Sequence, residues 1–259
     1  LRAGIAHQRR NKTKERQAKM KETRYFYVPN AAHCNELPDE EASHASRVLR
    51  LESGDEVFLI DGEGCFFKAQ LTLVSKSRCL YNIVERLPQE KTWSGRIAVG
   101  MAPTKSIDRV EWTLEKATEI GLDEFSLLNC AFSERRNVKL ERLDKIVVAA
   151  VKQSRKAWKP QLNDLLPFER FVKQPRKGAK FIAHCYGEID KKDLYNELLQ
   201  LNADEDVTIL IGPEGDFSFE EVRLAMEQGY VSVSLGKSRL RTETAALSAT
   251  MIAQLAFRK

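Results

Sequence analysis

Apolar and polar positions change their rhythm once along this chain, near residue 90. From Arg24 to about Pro88, short runs alternate apolar with polar residues, the period-two signature of half-buried strands. The runs are Arg24–Val28, Glu56–Asp61, Cys65–Val74 and Cys79–Glu85, with Gly54-Asp55 and Asp61-Gly62-Glu63-Gly64 supplying turns. One short helix is expected at Asp39–Leu51. Together they predict a small β-barrel of about 65 residues.

Residues 88–95 are polar and read as a linker. Beyond them strand and helix patterns alternate. The expected strands are Arg96–Met101, Glu124–Cys130, Lys180–Cys185, Val207–Ile211 and Tyr230–Leu235. The expected helices are Ser106–Ile120, Leu140–Ala157, Lys191–Leu201, Phe219–Gln228 and Glu243–Phe257. Such alternation means an α/β unit with a mostly parallel sheet covered by helices. Ile107, Val110, Leu114, Ala117 and Ile120 fall on one helical face, with Gly121 as the stop. Ser218 with Glu221 forms a capping box, and Gly229 closes the helix that follows.

Charge alters this picture only at the N-terminus. Residues 1–19 carry seven Lys/Arg and one Glu, whereas the other 240 residues carry 35 Lys/Arg against 36 Asp/Glu. The basic excess therefore lies ahead of Met20. It reads as expression-derived or upstream-frame sequence, or a disordered tail, with Met20 as the natural start. A genuine RNA-binding arm is the alternative. No run approaches the roughly 20 apolar residues that cross a bilayer, and no signal peptide is visible. Cys34, Cys65, Cys79, Cys130 and Cys185 form no C-x-x-C, which indicates free thiols in a reducing compartment, the cytoplasm. Four scattered histidines offer no metal-ligand spacing, so no metal site is expected.

Candidate chemistry gathers in two loops. Ile211-Gly212-Pro213-Glu214-Gly215-Asp216-Phe217-Ser218 runs from a buried strand into a capped helix, where ligands bind in open parallel sheets. Gly212 and Gly215 permit close backbone approach, but a plain strand-to-helix turn has the same composition. No phosphate-loop pattern occurs, and Glu214 and Asp216 would repel a phosphate, so a neutral or cationic ligand suits the loop. The second loop, Leu235-Gly236-Lys237-Ser238-Arg239-Leu240-Arg241-Thr242-Glu243-Thr244-Ala245-Ala246, ends in a helix that Thr242 could cap. Glu243 suits its first turn, while Arg239 and Arg241 there call for an anion nearby.

These two loops resemble the "IGPEGGFS" and "LGxRILRTETAA" segments of the RsmE-type 16S ribosomal RNA methyltransferases of the SPOUT superfamily. Further pieces follow in the same order. His44 to Arg50 resembles "HxxRVLR", Lys116-Ala117-Thr118-Glu119-Ile120-Gly121 resembles "KatELG", and Ser133-Glu134-Arg135 and Gln153-Ser154-Arg155 match two shorter motifs. The chain departs from the pattern at Asp216, where Gly is usual, at Arg239 ahead of Leu240, where Ile is common, and at Ala150 and Lys152, where acids are frequent.

The resemblance implies a PUA-like barrel for RNA over residues 20–88 and a SPOUT methyltransferase domain over 96–259, whose last segment is threaded into a deep trefoil knot. It implies a homodimer with shared active sites, S-adenosylmethionine as cofactor, and N3-methyluridine in the 16S RNA of the small ribosomal subunit as product. Arg241 and Glu243 are the expected catalytic residues: Arg241 on a uracil carbonyl or phosphate, Glu243 as base or positioning group. His184, Ile211, Gly212, Pro213, Glu214, Gly215, Leu235, Gly236, Leu240, Thr242 and Thr244 are expected around the cofactor. Arg47 and Arg50, on one short helix, and Arg135, Arg136 and Arg155 are expected on RNA. A ribose 2′-O-methyltransferase of the same superfamily and a non-catalytic ribosome-assembly factor are the alternatives.

Overall fold

The structure is a computed structural model describing residues 24–259; the basic tract and Met20 lie outside the described residues. Two compact units emerge. One comprises residues 24–59 and Phe66–Leu87, the other Ile60–Cys65 and Pro88–Lys259.

In the first unit, strands β1 (Tyr25–Tyr27), β2 (Glu56–Ile60), β3 (Cys65–Val74) and β4 (Cys79–Pro88) form a four-stranded sheet in sequence order. Alternation in β3 puts Phe67, Ala69 and Leu71 into a core with Phe26, Leu37, Leu59 and Tyr81. Helix α1 (Asp39–Ser43) does not run to Leu51 as the pattern predicts. It passes into a π turn at His44–Val48, with Leu49 N–H donating to the His44 carbonyl, and Arg50 beyond it is left-handed at φ 52°. Arg47 and Arg50 thus do not share one helix, although both are exposed.

The second unit is an α/β layer structure around a seven-stranded sheet in the order β7-β6-β5-β10-β8-β11-β9. Its strands are β5 (Ile97–Met101), β6 (Glu124–Asn129), β7 (Gln161–Pro167), β8 (Ala179–Ala183), β9 (Lys192–Asp193), β10 (Val207–Ile211) and β11 (Val231–Ser234). Every pairing is parallel. All residues of β5 and β10 are buried, as strands covered on both faces must be. The helices are α2 (Ile107–Ile120), α3 (Leu140–Ser154), α4 (Phe168–Val172), α5 (Leu194–Leu198), α6 (Phe219–Glu227) and α7 (Thr242–Phe257). Helix α2 packs against α3 and α7, and α4 packs against α6. The α4–α6 side is sealed by Phe168, Phe171, Phe217, Val222 and Tyr230 over Leu128, Ile182 and Leu210.

Local chemistry sets the helix ends. The Ser218 hydroxyl accepts from Glu221 N–H, and the Glu221 carboxylate accepts from Ser218 N–H, the predicted capping box, a feature worth about 1 kcal/mol. Gly121 closes α2 at φ 117°. Helix α5 is shorter than the predicted Lys191–Leu201, because the Asp193 carboxylate accepts from Asn196 N–H and starts the helix at Leu194. Strand β7 and helix α4 escape the pattern altogether. Strand β7 is an edge strand bounded by Pro160 and Pro167 with only half-buried and exposed positions, and α4 is too short to show a period.

Candidate active site

Strands β10, β8 and β11 are neighbours and end level with one another: Ile211 and Val233 both register with Ala183. The loops leaving them open onto a cavity of about 660 Å³, within the range of small-molecule sites. Its wall takes His184 and Cys185 from beyond β8, Ile211 from the end of β10 with Gly212 to Asp216 beyond it, and Leu235, Gly236, Ser238, Arg239 and Leu240 from beyond β11. Arg241, Thr242 and Ala245 enter from the start of α7, and Arg109 from α2. Thr244 is exposed and off the wall, and Glu243 lies behind it.

The β10 loop is held by its own side chains. Asp216 has φ 67°, the left-handed conformation that Asp tolerates better than most residues, which accounts for Gly being usual at this place. Its carboxylate accepts from Phe217 N–H at 2.8 Å and from Cys185 N–H at 2.8 Å, tying the β10 loop to the β8 end. Glu214 also serves the frame: its Oε1 accepts from Lys105 N–H at 2.9 Å. The Arg135 guanidinium donates to the Thr104 carbonyl at 3.1 Å and to that of Lys105. Gly212 is closed in from behind, where a Cβ would stand 2.9 Å from Phe217 N. In the β11 loop Gly236 has φ 118°, and its N–H donates to the Ser234 hydroxyl.

His184 sits one residue past β8, not within it, and is buried. Its Nδ1 accepts from Tyr186 N–H at 3.2 Å, so the ring proton is on Nε2, which donates to Ser232 Oγ at 2.6 Å. Burial, assisted by the Lys191 charge, pushes its pKa down and keeps the ring neutral. It is a satisfied wall residue with both nitrogens engaged.

At the start of α7 the structure corrects one expectation. Arg241, with extended backbone at ψ 157°, is the N-cap, and Thr242 is already helical and makes no side-chain cap. Ala245 N–H closes the first turn on the Arg241 carbonyl at 2.7 Å, leaving the Arg241 side chain exposed on the cavity wall. Glu243 is only 7% exposed; its Oε1 lies 3.5 Å from Arg109 Nη1 and its Oε2 has no hydrogen-bond partner.

Of the basic residues expected on RNA, Arg136 and Arg155 are exposed and off the cavity. Arg155 caps α3 in left-handed conformation at φ 52°. The sequence reading missed Arg109 and Cys185 on the cavity wall. A cation in the first turn of α2, against the helix dipole, was the available signal for Arg109. Among the described residues no group of three or more His, Cys, Asp or Glu is placed to hold a metal.

Fold and cavity together define a parallel α/β ligand-binding domain open at the carboxyl edge of its sheet. The family model described as an RNA methyltransferase domain matches residues 91–254, and that of the RNA methyltransferase PUA domain matches residues 37–83. The chain belongs to this RNA methyltransferase family. A probable rRNA-methyltransferase from Porphyromonas gingivalis is 39% identical at a TM-score of 0.83, over 90% of this chain and 98% of that one. A Ribosomal RNA small subunit methyltransferase E from Neisseria gonorrhoeae, solved bound to S-adenosyl methionine, is 26% identical at a TM-score of 0.77, over 91% and 98%. The curated protein of that name from Rickettsia conorii is 29% identical over 82% of this chain and 85% of its own length.

Proposed function

We propose that this chain transfers a methyl group from S-adenosylmethionine to N3 of a uridine in the 16S RNA of the small ribosomal subunit. The observation that carries the reading is the cavity itself. The two loops that resemble the family's motifs, one following β10 and the other β11, both line one site of small-molecule size. That site fits the cofactor by its chemistry. Gly236, with open space where a Cβ would stand, leaves backbone accessible, and the acids Glu214 and Asp216 lie near a place that would receive a cation. When bound, the cofactor supplies an electrophilic methyl on a sulfonium.

Ile211, Gly212, Pro213, Gly215, Leu235, Gly236, Leu240 and Thr242 hold the ligand in this reading, with His184 and Glu214 fixing the frame around it. The acceptor is a weakly acidic ring nitrogen that must lose its proton, so the site needs a group that favours the anionic ring. Arg241 takes that part, bonding a uracil carbonyl or the adjacent phosphate. Glu243 serves as base or as positioning group. Arg47, Arg50, Arg136 and Arg155 meet RNA phosphates, and Arg135 joins them with donors left over from its two carbonyl bonds.

We assign the working form as a homodimer. Helix α7 is rich in apolar residues, and Met251 and Leu255 on it, with Trp112 on α2, are each 44–46% exposed. A helix of that composition belongs in an interior, which a second copy would provide. The trefoil threading and a cytoplasmic location, where small subunits are modified, belong to the same reading. No helix among the described residues is long and apolar enough to cross a membrane.

The test is to map methylated uridines by mass spectrometry in 16S RNA from cells lacking this protein. One N3-methyluridine disappears, returning with the wild-type chain and not with Arg241→Ala. An unchanged uridine map, or a lost ribose methyl, contradicts the proposal.

A further inference from the structure

We infer that Arg109 is a second cation, beside Arg241, that meets the reacting uracil, and that Glu243 works through Arg109 as a positioning residue and not as the proton acceptor. The inference rests on the methyltransferase reading of this cavity and narrows the role of Glu243 within it.

Arg109 comes from the first turn of α2, after the N-cap Ser106, a place where a cation opposes the helix dipole. It stays there because its carbonyl accepts from Thr113 Oγ1 at 2.7 Å and its Nη1 lies 3.5 Å from the buried Glu243 Oε1. The two partners differ sharply in access: the Arg109 side chain is 44% exposed, that of Glu243 9%. Arg109 lines the cavity and Glu243 does not. A proton acceptor must come within about 2.6–3.2 Å of the proton it takes. A carboxylate behind the wall cannot do so, but the guanidinium it anchors can reach a ligand. The Arg109–Glu243 pair also joins the first turns of α2 and α7, and both helix ends favour negative charge. A uracil that has lost its N3 proton spreads negative charge onto its two carbonyl oxygens, the shape of acceptor a guanidinium binds well. The free Glu243 Oε2 leaves room for Arg109 to engage the carboxylate more fully once RNA is bound.

The experiment uses the full chain with 16S RNA and S-adenosylmethionine, comparing Arg109→Ala, Arg109→Lys, Glu243→Gln and the Arg109→Ala/Glu243→Gln double variant. Cofactor affinity by calorimetry stays within about twofold of wild type in each, showing an intact domain. Arg109→Ala lowers kcat about 100-fold, the scale of one lost donor to a developing oxyanion, and Arg109→Lys recovers part of it. Glu243→Gln loses less, and the double variant is no slower than Arg109→Ala alone, as expected of residues acting in series. An effect on KM with a salt slope and unchanged kcat would assign Arg109 to a phosphate and overturn the inference. So would equal losses from Glu243→Gln with and without Arg109, or a lost limb in the pH profile of Glu243→Gln. In each of those cases a wild-type enzyme that still transfers methyl leaves the methyltransferase reading standing, whereas wild type that transfers none overturns both.

Discussion

Substituting Gly212 by Ala tests whether the β10 loop is a tight ligand cradle. The new Cβ would stand 2.9 Å from Phe217 N, 3.1 Å from Asp216 C and 3.1 Å from Phe217 Cδ2. These atoms cannot easily yield. Phe217 is fully buried, its N–H donates to the Asp216 carboxylate, and its carbonyl accepts from Tyr186 Oη at 2.8 Å. Overpacking of this kind costs about 1–3 kcal/mol. If the loop deforms to keep the fold, the cost falls on the cofactor and weakens binding about 5- to 150-fold. If the fold takes the strain instead, the melting temperature drops by about 2–4 °C per kcal/mol. Calorimetric titration with S-adenosylmethionine alongside thermal melting separates the two. Gly187→Ala is the control. Its Cβ would meet nothing within 4 Å and it lies off the cavity wall, so affinity and melting should change little. Wild-type affinity and melting in Gly212→Ala would refute the account of the loop.

Other consequences follow from the same geometry. Burial alone would raise the Glu124 carboxyl, but Arg176, Arg96 and Ser126 outweigh it and hold it at about 2. Because the folded value lies below the unfolded one, the stabilisation is complete above the unfolded pKa and fades as pH falls towards 2. It amounts to about 3 kcal/mol, so wild type should lose melting temperature between pH 5 and 2 more steeply than Glu124→Gln; parallel curves would contradict this. Asp216→Ala keeps the positive φ but loses two main-chain hydrogen bonds, and should cost about 1–3 kcal/mol in denaturant unfolding. Asp216→Gly recovers the conformational part and should cost less; the reverse order would show that the left-handed geometry is not the constraint. Met251→Glu places a charge on the exposed side of α7 and should shift sedimentation from dimer to monomer, while a wild-type chain that sediments as a monomer removes the proposed interface.

Most of the sheet was legible because its central strands are uniformly apolar and its helices strongly periodic. Val207–Ile211 emerges with its predicted bounds for that reason. The edge strand Gln161–Pro167 was not legible, since an edge position imposes no burial pattern, and a five-residue helix imposes no period. The π turn after Ser43 was hidden because its backbone departs from the α period without any proline or glycine to mark it. At the site, the two loops announced themselves through Gly and charge. Arg109 did not, because its partnership with Glu243 spans more than a hundred residues and exists only once α2 and α7 pack. Thr242 misled for a related reason: its residue type fits a cap, but the chain bends one residue earlier, at Arg241.

The central claim is that the loops following β8, β10 and β11 close around a sulfonium cofactor. Titrating S-adenosylmethionine into the purified full chain measures this directly. Saturable heat at one ligand per chain, weakened in Gly212→Ala, is the predicted result. No heat from a chain whose circular dichroism and melting show it folded would contradict the account.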